Sequence, residues 1–152
     1  MKILVFADYE DIGQRKNYEQ ALLEELSDKG VQIFMSIDYF PPLKEYTDQE
    51  REANKISLGY TAVLFLEPKG SNTSTHSEAY RNWFGGVSAD THESLDGVYT
   101  IATLTDLTSK EHVYKATIYT SLDSRYTQMN EVRSSMAKKI ADDMSDNGFF
   151  NK

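Results

Sequence analysis

Cysteine is absent from the 152-residue chain, proline occurs three times and tryptophan once. Without cysteine there is no disulfide scaffold, no thiol nucleophile and no cysteine-ligated metal or cluster. No apolar run approaches the roughly 18 residues of a bilayer-spanning helix. Basic side chains are outnumbered, 16 Lys and Arg against 24 Asp and Glu, which leaves a net charge of −8. That balance argues against a nucleic-acid backbone as partner and against a polybasic membrane footprint. Phosphate-binding glycine loops are missing too. Gly13 stands alone, with neither GxGxxG nor GxxxxGKS/T around it. No GxSxG elbow marks a serine nucleophile, and none of the three histidines has a partner at HExxH spacing.

What remains is a chain that folds. Apolar residues make up 39% and aromatic residues 12%, too patterned for intrinsic disorder. The length suits one domain, 1–152, that buries a core without a disulfide or metal staple. It opens Met-Lys and runs directly into an apolar strand, with no basic n-region, h-region or cleavage site. Two readings follow: a cytoplasmic protein, or a chain whose export signal has been removed.

Ile3 to Phe6 is a short apolar, β-branched run, which predicts a buried strand over 2–7. Ala7 to Arg15 is polar and reads as a loop. Asn17 is a candidate N-cap for a helix over 17–29, in which Tyr18, Ala21, Leu22 and Leu26 recur at helical spacing and Gly30 follows as the stop. Val31, Ile33, Met35 and Ile37 alternate with polar residues, so a second strand is expected over 31–38, ended by Pro41-Pro42. Thr47 and Glu50 have capping-box spacing. They predict a helix from Asp48 to Leu58 with Ala53, Ile56 and Ser57 turned inward and Gly59 closing it. Ala62 to Leu66 is a third buried strand, over 61–66.

Residues 68–97 lose periodicity and are rich in Ser, Thr, Gly and Asn, which marks a long irregular insertion, in part an extended hairpin arm. The pattern returns in two Thr- and Val-rich runs, 98–107 and 113–122, joined by Thr108-Ser109-Lys110 as an antiparallel hairpin. Met129, Val132, Met136, Ile140 and Met144 form one apolar stripe of a closing helix. Gly148 sits at C′, and Phe149 and Phe150 follow as its hydrophobic contact. The expected fold is α/β: a single mixed sheet, βαβαβ followed by a β-hairpin and a C-terminal helix, with helices packed on it.

Candidate chemistry is sparse. Asp8, Glu10 and Asp11 follow the first strand, at the carboxyl edge where α/β sheets bind ligands, and could hold a hard cation. A solvated acidic turn is the plainer reading, and no metal is expected. His76, His92 and His112 fall in loops or turns as surface residues. Tyr99, Tyr114 and Tyr119 could line a groove, though tyrosine is common in sheets anyway. Tyr80, Arg81, Trp83 and Phe84 stand out as an aromatic and Arg cluster in a polar segment. Such residues anchor interfaces, and they equally plug the end of a sheet as a satellite core.

Four stretches carry a family resemblance. They are KILVFADYED with NYEQALLEELSDKGV, the step REANKISLGYTAVLFLEP, the hairpin TIATLTDLTSKEHVYKATIYTS, and the closing MAKKIADDMSDNGFF. Together they cover 2–66 and 97–150, and the chain resembles the α/β domain of bacterial envelope lipoproteins typified by the TolB N-terminal domain, LpoB and CsgG. Two positions depart from the family pattern: its hairpin tryptophan is Tyr114 here, and its aspartate after the glycine is Thr61. The resemblance implies a non-enzymatic periplasmic domain, without cofactor, that binds other envelope proteins or itself. It would be held at the outer membrane only by a lipid on a cysteine preceding this chain. Tyr80, Arg81, Trp83 and Phe84 are then the candidate partner-binding residues. The alternative is a cytoplasmic flavodoxin-like enzyme that binds a small molecule or nucleotide at Asp8, Glu10 and Asp11.

Overall fold

A computed structural model describes residues 1–71, 97–121 and 129–150. The elements run β1 (Lys2–Ala7), α1 (Ile12–Asp28), β2 (Gln32–Met35), α2 (Ser36–Tyr39), α3 (Asp48–Leu58), β3 (Ala62–Ser71), β4 (Gly97–Asp106), β5 (His112–Ser121) and α4 (Met129–Asp146). The strands make one mixed sheet in the order β2-β1-β3-β4-β5. β1 pairs in parallel with β2 and β3, and β3-β4-β5 is an antiparallel meander. The expected fold class is the one observed.

Alternation along the strands sorts the sheet into two faces. Ile3, Val5, Ala7, Leu64, Leu66, Ala102, Leu104 and Ile118 point to one side. There they meet Leu22 and Leu26 of α1 and Met136, Ile140 and Met144 of α4, all fully or almost fully buried. α4 ends as its composition dictates: Gly148 takes φ 82°, and Phe149 N–H donates to the Met144 carbonyl. Phe149 and Phe150 then pack against the same core. The opposite face is thinner. Leu4, Phe40 and Tyr60 form its small buried nucleus, with Phe34, Tyr46, Leu58 and Val63 around it.

Four boundaries and one orientation differ from the sequence reading. α1 begins at Ile12 rather than after Asn17, capped by Asp11, whose carboxylate accepts from Gln14 N–H at 2.8 Å. The extra turn was hidden because its core-facing position is Arg15, a residue that reads as solvent. β2 stops at Met35, and Ser36–Tyr39 is a helical turn, because Ser36 is buried and bonded by side chain rather than paired in the sheet. β3 continues to Ser71 through a bulge between Pro68 and Gly70, so the first residues of the expected insertion belong to the sheet. The hairpin spans Gly97–Asp106 and His112–Ser121, one residue earlier than expected on each strand. α3 has its expected bounds, its Thr47–Glu50 capping box and Gly59 at φ 74°. Yet Ala53, Ile56 and Ser57 point to solvent, with Ile56 74% exposed, and α3 buries no residue completely.

Candidate functional site

α3 is fixed by its ends rather than by its face. The capping box holds its start, Gly59 turns its end, and Leu58 alone among its apolar residues packs on the small nucleus. Between α3 and the sheet lies a cavity of about 930 Å³. Its floor is the thin face: Leu4 and Phe6 of β1, Val63 and Phe65 of β3, with Tyr60 and Leu107 beyond. Phe6 and Phe65 stack at 5.4 Å between ring centroids, which makes the floor a continuous aromatic surface. The α3 side contributes Asp48, Arg51, Glu52 and Lys55. Lys44, Glu45 and Tyr46 of the preceding loop complete that wall. Lys110 of the β4–β5 turn also lines the cavity, held at φ 61°.

A buried polar network joins the cavity at the carboxyl edge of β1 and β2. Glu19 is completely buried on α1. Its carboxylate accepts from Ala7 N–H at 3.1 Å, Arg15 Nε at 3.2 Å, Ile37 N–H at 2.9 Å and the Ser36 hydroxyl. Arg15, 6% exposed, donates through Nη2 to Ser36 Oγ at 2.7 Å and to the Phe40 carbonyl at 3.2 Å. Its guanidinium lies 4.5 Å from the Phe6 ring centroid and so reaches the aromatic floor. One ion pair thus ties β1, α1 and α2 together, and satisfies the backbone where β2 leaves the sheet. Most of the other charges lining the cavity sit in exposed pairs of small net worth: Lys44 with Glu50, Arg51 with Asp48 at 3.8 Å and Lys55 with Glu52 at 3.7 Å, whereas Glu45 and Lys110 form no ion pair among the described residues. Burial, and then the charge of Glu52, push the Tyr60 phenol above its ordinary range.

The residues singled out from the sequence are scattered by this geometry. Asp11 is the α1 cap, so the acidic triplet does not act as one unit. Among the described residues no three His, Asp or Glu gather as a metal-binding group. His112 bonds through Nδ1 to Thr105 Oγ1 at 2.8 Å across the hairpin. The three tyrosines do not share a groove, because strand alternation splits them. Tyr99 and Tyr119 lie on the thin face with ring centroids 4.9 Å apart, whereas Tyr114 enters the thick core and donates to Asp143 at 2.6 Å. Tyr80, Arg81, Trp83 and Phe84, with His76 and His92, lie outside the described residues. The Arg15–Glu19–Ser36 network and the cavity were not foreseen. The i,i+4 pair Arg15–Glu19, preceding an apolar stripe, was the available signal.

The molecule belongs structurally to the mixed α/β sheets with two helices on one face and a lighter layer on the other. No family model and no curated protein matches the sequence. Solved structures do match the fold. PelC from Paraburkholderia phytofirmans, described as a dodecamer, superposes with TM-score 0.57 at 16% identity, over 91% of this chain and 83% of that one. Lipoprotein GNA1162 from Neisseria meningitidis superposes with TM-score 0.54 at 13% identity, over 95% of this chain and 98% of that one. TolB from Acinetobacter baumannii reaches TM-score 0.45 at 14% identity over 27% of its length, too low to carry weight. At these identities the fold alone is shared.

Proposed function

We propose that the chain is one non-enzymatic domain of a bacterial envelope lipoprotein, working through contacts with other envelope proteins or with further copies of itself. The observation that carries this reading is the extent of the fold match. The likeness to the lipoprotein takes in 95% of this chain and 98% of that one. A second match of similar extent is to a protein whose structure is a dodecamer, which favours self-association as one form of contact. The chemistry agrees in direction. The sequence offers no cysteine, no phosphate loop and no nucleophile elbow. The charged cluster at the sheet edge is used to hold α1 and α2 in place. In this reading the lipid sits on a cysteine upstream of this chain, and partner contact concentrates in the long insertion, where Tyr80, Arg81, Trp83 and Phe84 are the anchors.

The natural gene, expressed in its own cell with radiolabelled palmitate, tests the placement: label and protein should both fractionate with the outer membrane. An unlabelled protein in the cytoplasmic fraction would overturn it. Crosslinking of those cells tests the contacts, and Trp83→Ala with Arg81→Ala should weaken the crosslinked species at least tenfold.

A further inference from the structure

We propose that the cavity between α3 and the thin face of the sheet binds a single-chain anionic amphiphile. Its apolar body would lie on Phe6, Val63 and Phe65, and its acidic head on Nη1 of Arg15. The inference does not rest on the envelope reading. It starts from size and surface. A volume of about 930 Å³ falls within the range of small-molecule sites, and the floor is aromatic and aliphatic. Water gains little on such a floor and is displaced favourably by a hydrocarbon. α3 stands across the sheet as the opposite wall of the cavity.

Charge then selects the sign of the head. The chain as a whole has 16 basic and 24 acidic residues. The cavity reverses this, with five cationic side chains against three acidic ones. Two of the cations are not fully engaged. Lys110 forms no ion pair among the described residues. Arg15 uses Nε and Nη2, while its Nη1 makes no hydrogen bond among the described residues and keeps contact with solvent. With Nε given to Glu19 and Nη2 shared between Ser36 Oγ and the Phe40 carbonyl, Nη1 alone still offers its two N–H groups, enough for one charge-assisted contact to an acidic head. Because the same guanidinium rests on the Phe6 ring, an acid bound at Nη1 has its body delivered onto the stacked Phe6–Phe65 surface.

Dodecanoate, kept below its micellar concentration, is the probe. Titration calorimetry should show saturable one-to-one binding, and dodecyl maltoside, with an alkyl tail about one carbon longer and a neutral head, should bind at least about tenfold more weakly. Methyl NMR should move Leu4, Val63 and Leu107 and leave Leu22 and Ile140 of the opposite core in place. Arg15→Lys should weaken dodecanoate about tenfold while keeping a charge for Glu19. Should that variant not fold, Val63→Trp fills the cavity from a partly buried strand position and should abolish binding. Absence of saturable binding, equal affinity for the neutral detergent, undiminished binding by both variants, or shifts at Leu22 and Ile140 would each overturn the proposal.

Discussion

The two faces of the sheet are built from the same strands and end up unlike. One receives α1 and α4 and closes completely, with Leu22, Leu26, Ile140 and Met144 all at 0% exposure. The other receives α3, which buries none of its own residues and leaves a cavity beneath it. Strand composition does not explain this, since Leu4, Phe6, Val63 and Phe65 are as apolar as Ile3, Val5, Leu64 and Leu66. The helices do. α4 carries an unbroken apolar stripe, whereas α3, DQEREANKISL, has only Ala, Ile and Leu to offer and turns the first two outward. A sheet face closes when the helix laid on it supplies matching surface, and stays open when it does not.

Removing a group from each side should break the molecule very unequally. Glu19→Ala should be the most damaging, at about 3–5 kcal/mol, because it leaves Arg15 as a buried charge without its carboxylate and takes the acceptor from two backbone N–H groups. Urea unfolding measures it, and a loss under about 1 kcal/mol would show that the network is decorative. Ile140→Ala on the closed side should cost about 2–5 kcal/mol, while Ile56→Ala on the open side should stay within about 0.5 kcal/mol. Equal costs for the two isoleucines would erase the distinction between the faces.

The smallest effect concerns alkali. Burial, then the hydrogen bond and the charge of Asp143, push the Tyr114 phenol well above its ordinary value of 10.0. A group raised in the folded state contributes stability that is complete below its unfolded pKa and is lost as pH climbs toward the folded one. The urea midpoint should therefore fall as pH rises beyond about 10, and Tyr114→Phe should flatten the slope. A residual slope should persist from Tyr18, also raised chiefly by burial on the closed side. An unchanged slope in Tyr114→Phe would remove Tyr114 from the account.

Legibility followed the same division. Wherever apolar periodicity was complete, as in β1, α4 and the β4–β5 hairpin, local pattern led directly to the element. The caps at Thr47 with Glu50, Gly59 and Gly148 were legible, because they act through adjacent backbone, whereas the cap of α1 was misplaced at Asn17 instead of Asp11. The reading failed where a polar residue sits in a core position. Arg15 and Glu19 interrupt the stripe of α1, Arg15 concealing its first turn, and Ser36 looks like an ordinary strand residue until Arg15 and Glu19 are brought to it. The inward turn assigned to Ile56 failed for another reason. One isoleucine on an otherwise charged helix gives a direction only if the helix packs, and α3 does not. The cavity has no local signature because its walls come from β1, β3, α3 and the β4–β5 turn, more than one hundred positions apart at the extremes.

The place of β1 has a consequence for how the molecule is made. It lies between β2 and β3, and its closed face is finished by α4. On the ribosome, where the amino end emerges first, the segment ILVF is therefore presented long before the residues that cover it have been synthesised. Its neighbours Ala62 to Leu66 arrive about sixty residues later, and Ile140 later still. Such non-local assembly slows folding and prolongs the interval in which bare strand edges can meet other chains. During synthesis the edges of β1 therefore stay open to other chains until β3 has emerged, and its closed face stays unfinished until α4 follows.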